Sequence, residues 1–262
     1  MTHPPRTLFR FLLPLTLTVM PILTAADVQE GDSSVNITIT NTGVRELPPE
    51  SETRLRVFVH QERPSHNTPL PTCQPTQNDA NETYDLTGWH IPTGGMTYLV
   101  NADSAPSAIK SAVPAAIETA EGTWTAADGD KVLTYGGTFT ISRPRYDGQN
   151  IVMWRRLSRG TVAAAYIWYL PSTGEVVDAD MVFNTRVRWS VNDPAAGDCG
   201  GTASTYDVQA VATHEFGHWF GLEDLYNAAT ADLTMHGIVM HTELKKASLG
   251  TGDTLGANAV AP

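Results

Sequence analysis

Residues 214–224 read HEFGHWFGLED. Histidines four apart share one face of a helix, so His214 and His218 can turn their imidazoles towards a single cation. Glu215 sits one position round, close enough to act on a water at that cation without being a ligand. Two neutral imidazoles and one oxygen donor suit zinc, with a fourth position left over. Gly221 follows where the helix must end and the backbone needs a positive φ to turn back. The reversal runs through Leu222 and Glu223 and returns Asp224 as the third ligand, with Glu223 expected to face solvent. Glu243, in HTELKK, is the carboxylate that a later third ligand would use instead. Such a set would hydrolyse a polarised carbonyl: a zinc-activated water attacks, and Glu215 takes its proton and passes it to the departing amine. A site that only stored metal would have no need of Glu215, which weighs against a non-catalytic binding module.

These side chains require a helix with defined ends. Ser204 is placed to cap it, with Asp207 three residues on in capping-box spacing, and residues 206–220 contain no proline. Upstream, GGMTYLVN alternates as a strand does. SAPSAIKSAVPAAIETAEGTW then sets Ile109, Val113, Ile117, Ala120 and Trp124 along one helical face, with Pro106 near its start and Pro114 expected to distort it. KVLTYGG, NIVMWRRL and the pair TVAAAYIWYL and VVDADMVFN read as strands, the pair joined by turn residues Pro171 and Gly174. The fold class that follows is α/β (α+β), one mixed sheet backed by helices. Small Ala163, Ala164 and Ala165 suit a sheet edge left open, to which an extended peptide adds through backbone hydrogen bonds. VNITIT and TRLRVFVH are short strand candidates ahead of this region, and the proline-, threonine- and asparagine-rich stretch between Glu62 and Asn81 reads as linker.

The chain has 262 residues, 41% hydrophobic and 17% charged, which supports a packed core. Its net charge of −11 argues against nucleic acid or an anionic membrane surface as partner. Arg6 and Arg10 precede an apolar stretch from Phe11 to about Leu23, followed by small Thr24, Ala25 and Ala26. This is a signal-peptide pattern over residues 1–26, short for a span and broken by Pro14 and Pro21; left uncleaved, it would be a membrane anchor. Secretion and no membrane association after its removal are expected. Residues 27–83 are then an N-terminal extension or pro-segment and 84–262 the main domain. Cys73 and Cys199 are the only cysteines, and in an oxidising compartment such a pair is most simply a disulfide.

HEFGHWFGLED resembles the extended zinc motif of the metzincin metallopeptidases, in the variant with aspartate as third ligand that snapalysin-type peptidases use. LTMHG resembles the Met-turn of that family, with Met235 as the apolar floor beneath the metal. GTVAAAYIWYL and VVDADMVFN resemble the substrate-edge strand and the strand after it in matrixin-like members. The resemblance spans about residues 84–260. It implies a twisted mixed sheet with an antiparallel edge strand, a backing helix, an active-site helix and a small C-terminal subdomain. It further implies one catalytic zinc, an extended polypeptide substrate cut internally, and a monomer. Calcium is left undecided, and a gluzincin-like site using Glu243 is the alternative within the same chemistry. LPTCQPT only loosely resembles a matrixin cysteine switch, so Cys73 has two readings, a disulfide or a thiolate at the metal.

Overall fold

The computed structural model describes residues 52–62, 80–192 and 204–260. The signal segment, VNITIT, most of the linker, Cys73 and Cys199 lie outside the described residues, so neither reading of Cys73 is addressed. Nine strands are described: β1 (Arg54–Glu62), β2 (Met96–Val100), β3 (Leu133–Thr138), β4 (Asn150–Arg155), β5 (Thr161–Tyr169), β6 (Val176–Asn184), β7 (Trp189–Ser190), β8 (Tyr206–Asp207) and β9 (Ile238–Val239). The helices are α1 (Val113–Ala127), α2 (Val208–Phe220) and α3 (Thr251–Ala259).

Seven strands form one sheet in the order β3-β2-β4-β6-β5-β1-β9. β3, β2, β4 and β6 run parallel, β5 is antiparallel to β6 and β1, and β9 is parallel to β1. The arrangement is mixed and mostly parallel, an α+β fold. The near-continuous burial along β4, β5 and β6 is what strands covered on both faces require. One face carries the main core, which includes Trp124, Phe183, Phe216, Trp219 and Met235; the other carries smaller clusters around Val57 and Trp168 and around Met153 and Val182.

Helix α1 begins later than SAPSAIKSAVPAAIE suggests. Pro114 lies in its first turn, where a missing N–H costs nothing, so the proline starts the helix instead of distorting it. Val113, Ala116, Ile117, Ala120 and Trp124 form its buried face. Trp124 reaches across to α2, where its indole N–H donates to the Thr213 carbonyl at 2.6 Å.

The edge expected at Ala163, Ala164 and Ala165 is not open. On one side they pair with His60, Val59 and Phe58 of β1, and on the other with Phe183, Val182 and Met181 of β6. The strand that closes the edge comes from the segment read as an extension, so Arg54–Glu62 is part of the sheet and residues 27–83 do not lie wholly apart from it. Openness of an edge is not a local property. β5 carries the small residues that permit close pairing, and its partner is more than a hundred residues away in sequence.

Candidate metal centre

Helix α2 is capped by Asp207 and not by Ser204. The Asp207 carboxylate accepts the Ala210 N–H at 2.8 Å and is itself fixed by the Asn192 N–H at 3.0 Å and side-chain amide at 2.9 Å. At its other end Gly221 adopts φ 109°, and its N–H reaches the Gly217 and His218 carbonyls. A Cβ there would also lie 2.4 Å from the Trp89 carbonyl oxygen. Glycine is thus required by both conformation and space.

Carbonyls accept only, so the hydrogen bonds of the two histidines fix their tautomers. His214 Nδ1 donates to the Thr234 carbonyl at 2.7 Å and His218 Nδ1 to the Leu222 carbonyl at 2.9 Å. In their neutral forms both Nε2 atoms then carry the lone pair, and they lie 3.2 Å and 3.5 Å from Asp224 Oδ1. The second Asp224 oxygen accepts the Tyr226 hydroxyl at 3.0 Å. His214 Nε2, Asp224 Oδ1 and both Glu215 oxygens are buried without a hydrogen-bond partner. Unsatisfied buried polar atoms are expensive. Here two imidazoles and a carboxylate converge with lone pairs facing one another, the donor set that a zinc ion would satisfy. Among the described residues, His214, His218 and Asp224 form one of two groups whose ligand atoms lie within 4.8 Å of one another; the other is His60, His214 and Glu215. Glu243 is in neither. It is buried elsewhere, accepting the Met240 N–H at 2.8 Å and standing 3.6 Å from the Lys245 ammonium.

Electrostatics follow from burial. Desolvation takes the His214 imidazole down to about 4, against the pull of Asp224, and pushes the Glu215 carboxyl up to about 8. Burial also raises the Asp224 carboxyl, but His218 and His214 beside it outweigh that and hold it well below the carboxylate range. Burial likewise pushes the His60 imidazole well below its ordinary range, with His214 and Lys246 adding to the effect.

Met235 lies against α2 from below. A Cβ added to Gly217 would stand 2.2 Å from the Met235 sulfur and 2.7 Å from Trp124 Cζ2, so the glycine between the metal-type histidines admits both side chains. The Met235 backbone is held by Asp253, whose carboxylate accepts the Thr234, Met235 and Gly250 N–H groups at 2.7, 3.0 and 2.8 Å. Lys246 Nζ, fully buried, donates to the Thr234 carbonyl at 3.0 Å and to that of His236. Asp253, Lys246 and Gly217 were not marked as site residues in the sequence. Only Gly217, an interior helical glycine, carried a local signal.

Two further departures come from β1. Glu223 is only partly exposed and is held from the side: Arg56 donates to both of its oxygens, at 2.7 Å for Nη2 with Oε2, and through Nη1 to Oε1. Phe58 stacks on the His218 ring with centroids 3.8 Å apart and planes within 12°, and the His60 ring stands 3.9 Å from that of His214.

Comparison with known proteins gives partial matches. The chain is 32% identical over 83 residues to extracellular metalloprotease 1 of Coccidioides posadasii, covering 29% of this chain and 30% of that protein. It is 31% identical over 96 residues to an extracellular metalloprotease of Neurospora crassa, 33% of each chain. The match thus spans about a third of the length of these curated relatives. No family model matches the chain.

Proposed function

We propose that the chain is a secreted zinc-dependent endopeptidase of metzincin type, matrixin-like, with aspartate as third ligand. The observation that carries this reading is the convergence of His214 Nε2, His218 Nε2 and Asp224 Oδ1 beside a Glu215 carboxylate with no partner of its own. Zinc held by these three residues would supply Lewis acidity towards a substrate carbonyl. Glu215 is the group that holds and moves the proton, taking it from the attacking water and delivering it to the departing amine. The His214 and His218 ring orientations are set by the Thr234 and Leu222 carbonyls, so neither imidazole has to reorganise to present a lone pair. Met235 and Gly217 give the site its floor.

The substrate is an extended polypeptide that would take the place β1 holds between β5 and β9. β1 already takes that course, antiparallel to β5 and parallel to β9, and it continues past the histidines in both directions. A groove that a chain passes through suits internal cleavage better than trimming from an end. The names of the two fungal relatives and the signal-like residues 1–26 support secretion, and no helix among the described residues is long and apolar enough to cross a membrane.

The test is metal content by elemental analysis. The purified chain is expected to hold about one zinc, released by a chelator together with any casein turnover. Asp224→Ala should lose the metal, Asp224→His should recover it, and Glu243→Ala should keep it. Loss in Glu243→Ala with retention in Asp224→Ala would overturn the ligand set.

A further inference from the structure

Two neighbouring lysines share the 3-10 turn Lys245–Ala247 and have opposite surroundings. Lys245 stands 3.1 Å from the half-exposed Asp232 carboxylate, an ordinary surface pair. Lys246 is fully buried, and among the described residues its hydrogen-bond partners are two main-chain carbonyls, those of Thr234 and His236. Burial pushes its ammonium down to about 8, against the pull of Glu243. A side chain chosen only for packing would be apolar here, since a buried amine is costly.

The two carbonyls flank Met235. The Thr234 carbonyl is also the one that accepts His214 Nδ1–H, at 2.7 Å, and its two lone pairs have room for both donors. The other end of the same peptide unit is taken as well: Met235 N–H donates to Asp253 Oδ1 at 3.0 Å. The Thr234–Met235 peptide is thus fastened by Asp253 at its N–H and by Lys246 at its C=O. Without Lys246 the carbonyl would be held only by His214, the side chain it has to orient. His218 has a separate support, because its Nδ1 donates to Leu222, a carbonyl that Lys246 does not bond.

We propose that Lys246 is a positioning residue of the metal centre: it holds the Thr234–Met235 peptide where its carbonyl aims the His214 imidazole and its methionine floors the site. This rests on the zinc-site reading above. The effect of Lys246 is confined to one of the two histidines, and it runs through a peptide group, with no contact between the ammonium and the metal ligands.

The experiment uses the full chain and Lys246→Met, which keeps length and burial but removes the donors. Zinc affinity, measured by competition with a chelator, should fall about 10- to 100-fold, the usual cost of losing support behind a ligand. In the NMR spectrum of the zinc-loaded variant the His214 Nδ1–H signal should shift and exchange faster with water, while that of His218 stays in place. Unchanged zinc affinity would overturn the proposal. So would equal movement of both histidine signals, which would make Lys246 a general support of the core. The parent chain supplies a test that does not depend on the variant folding: its Lys246 Nζ protons should exchange slowly and couple across the hydrogen bond to the Thr234 carbonyl carbon. Exchange as fast as that of an exposed lysine would overturn the proposal. A parent chain that binds no zinc would sink the zinc-site reading and this proposal with it, whereas zinc held equally by parent and variant sinks this proposal alone.

Discussion

Glu215 is buried with both oxygens lacking a hydrogen-bond partner, its Oε1 3.4 Å from His60 Nδ1. On the proposed reading, this carboxylate is held for what it does to a molecule beside it. Glu215→Gln keeps shape and burial but removes the proton acceptor. The variant is expected to retain its zinc and to lose at least roughly 10²-fold in turnover relative to the parent chain. Full activity would remove Glu215 from the mechanism, and loss of metal would make it a ligand. At this scale the sequence was informative: spacing of four put His214 and His218 on one face, and a glycine stop three residues later accounted for Asp224. It was silent on Phe58 and His60, because residues some 155 positions away from the motif meet it only through sheet register. Glu223 was misread for the same reason. Its partner, Arg56, belongs to that distant strand.

Elements succeed or fail as positioning devices through their contacts, and α2 shows both kinds of information. The apolar pattern and the lack of proline announced the helix. Its start was displaced from Ser204 because Asp207 has a second set of donors in Asn192 that no local pattern displays. Its packing turns on Gly217. Within a helix glycine costs about 1 kcal/mol relative to alanine, so Gly217→Ala would stabilise an isolated helix. In this fold the added methyl would have to displace the Met235 side chain, 2.2 Å away, and the rigid Trp124 indole, 2.7 Å away. Overpacking of this kind costs about 1–3 kcal/mol, so the variant is expected to melt several degrees lower despite its better propensity. A raised melting temperature would mean that Met235 and Trp124 have room to move and that the floor of the site is not tightly fitted. The five strands β2 to β6 were readable from alternation and turn residues. The order in which they pair, and the capture of β1 between β5 and β9, were not, since both are decided by partners that alternation does not name.

Across the whole molecule, the sheet is knit together by two carboxylates buried at its centre. On β6, Asp178 accepts the Asp147 and Gly148 N–H groups at 2.7 and 2.6 Å, and Asp180 accepts those of Arg145 and Ile151 at 2.9 and 3.0 Å. The bonds from Arg145, Asp147 and Gly148 fasten the connection between β3 and β4 onto a strand that follows it. The sheet carries a consequence for pH. Burial pushes the Asp178 carboxyl from 3.8 up to about 7, against the opposing pull of the Asp147 and Gly148 N–H groups. Between those two values the folded chain holds a proton that the unfolded chain has released. Folding therefore takes up protons in this window, and the contribution of Asp178 to stability falls as pH rises from about 4 to about 7, then stays level. Asp178→Asn removes the titration while keeping one oxygen to accept the same two N–H groups. Its amide nitrogen enters the position of an oxygen that has no partner, so the variant can be less stable throughout. What identifies the titration is the change with pH: the stability of the parent chain minus that of the variant should shrink between about pH 4 and 7 and be constant above. Chemical denaturation of both chains at several pH values measures it. A difference that stays flat across the window would mean that Asp178 is ionised in the fold, its charge carried by the backbone donors of the β3–β4 connection.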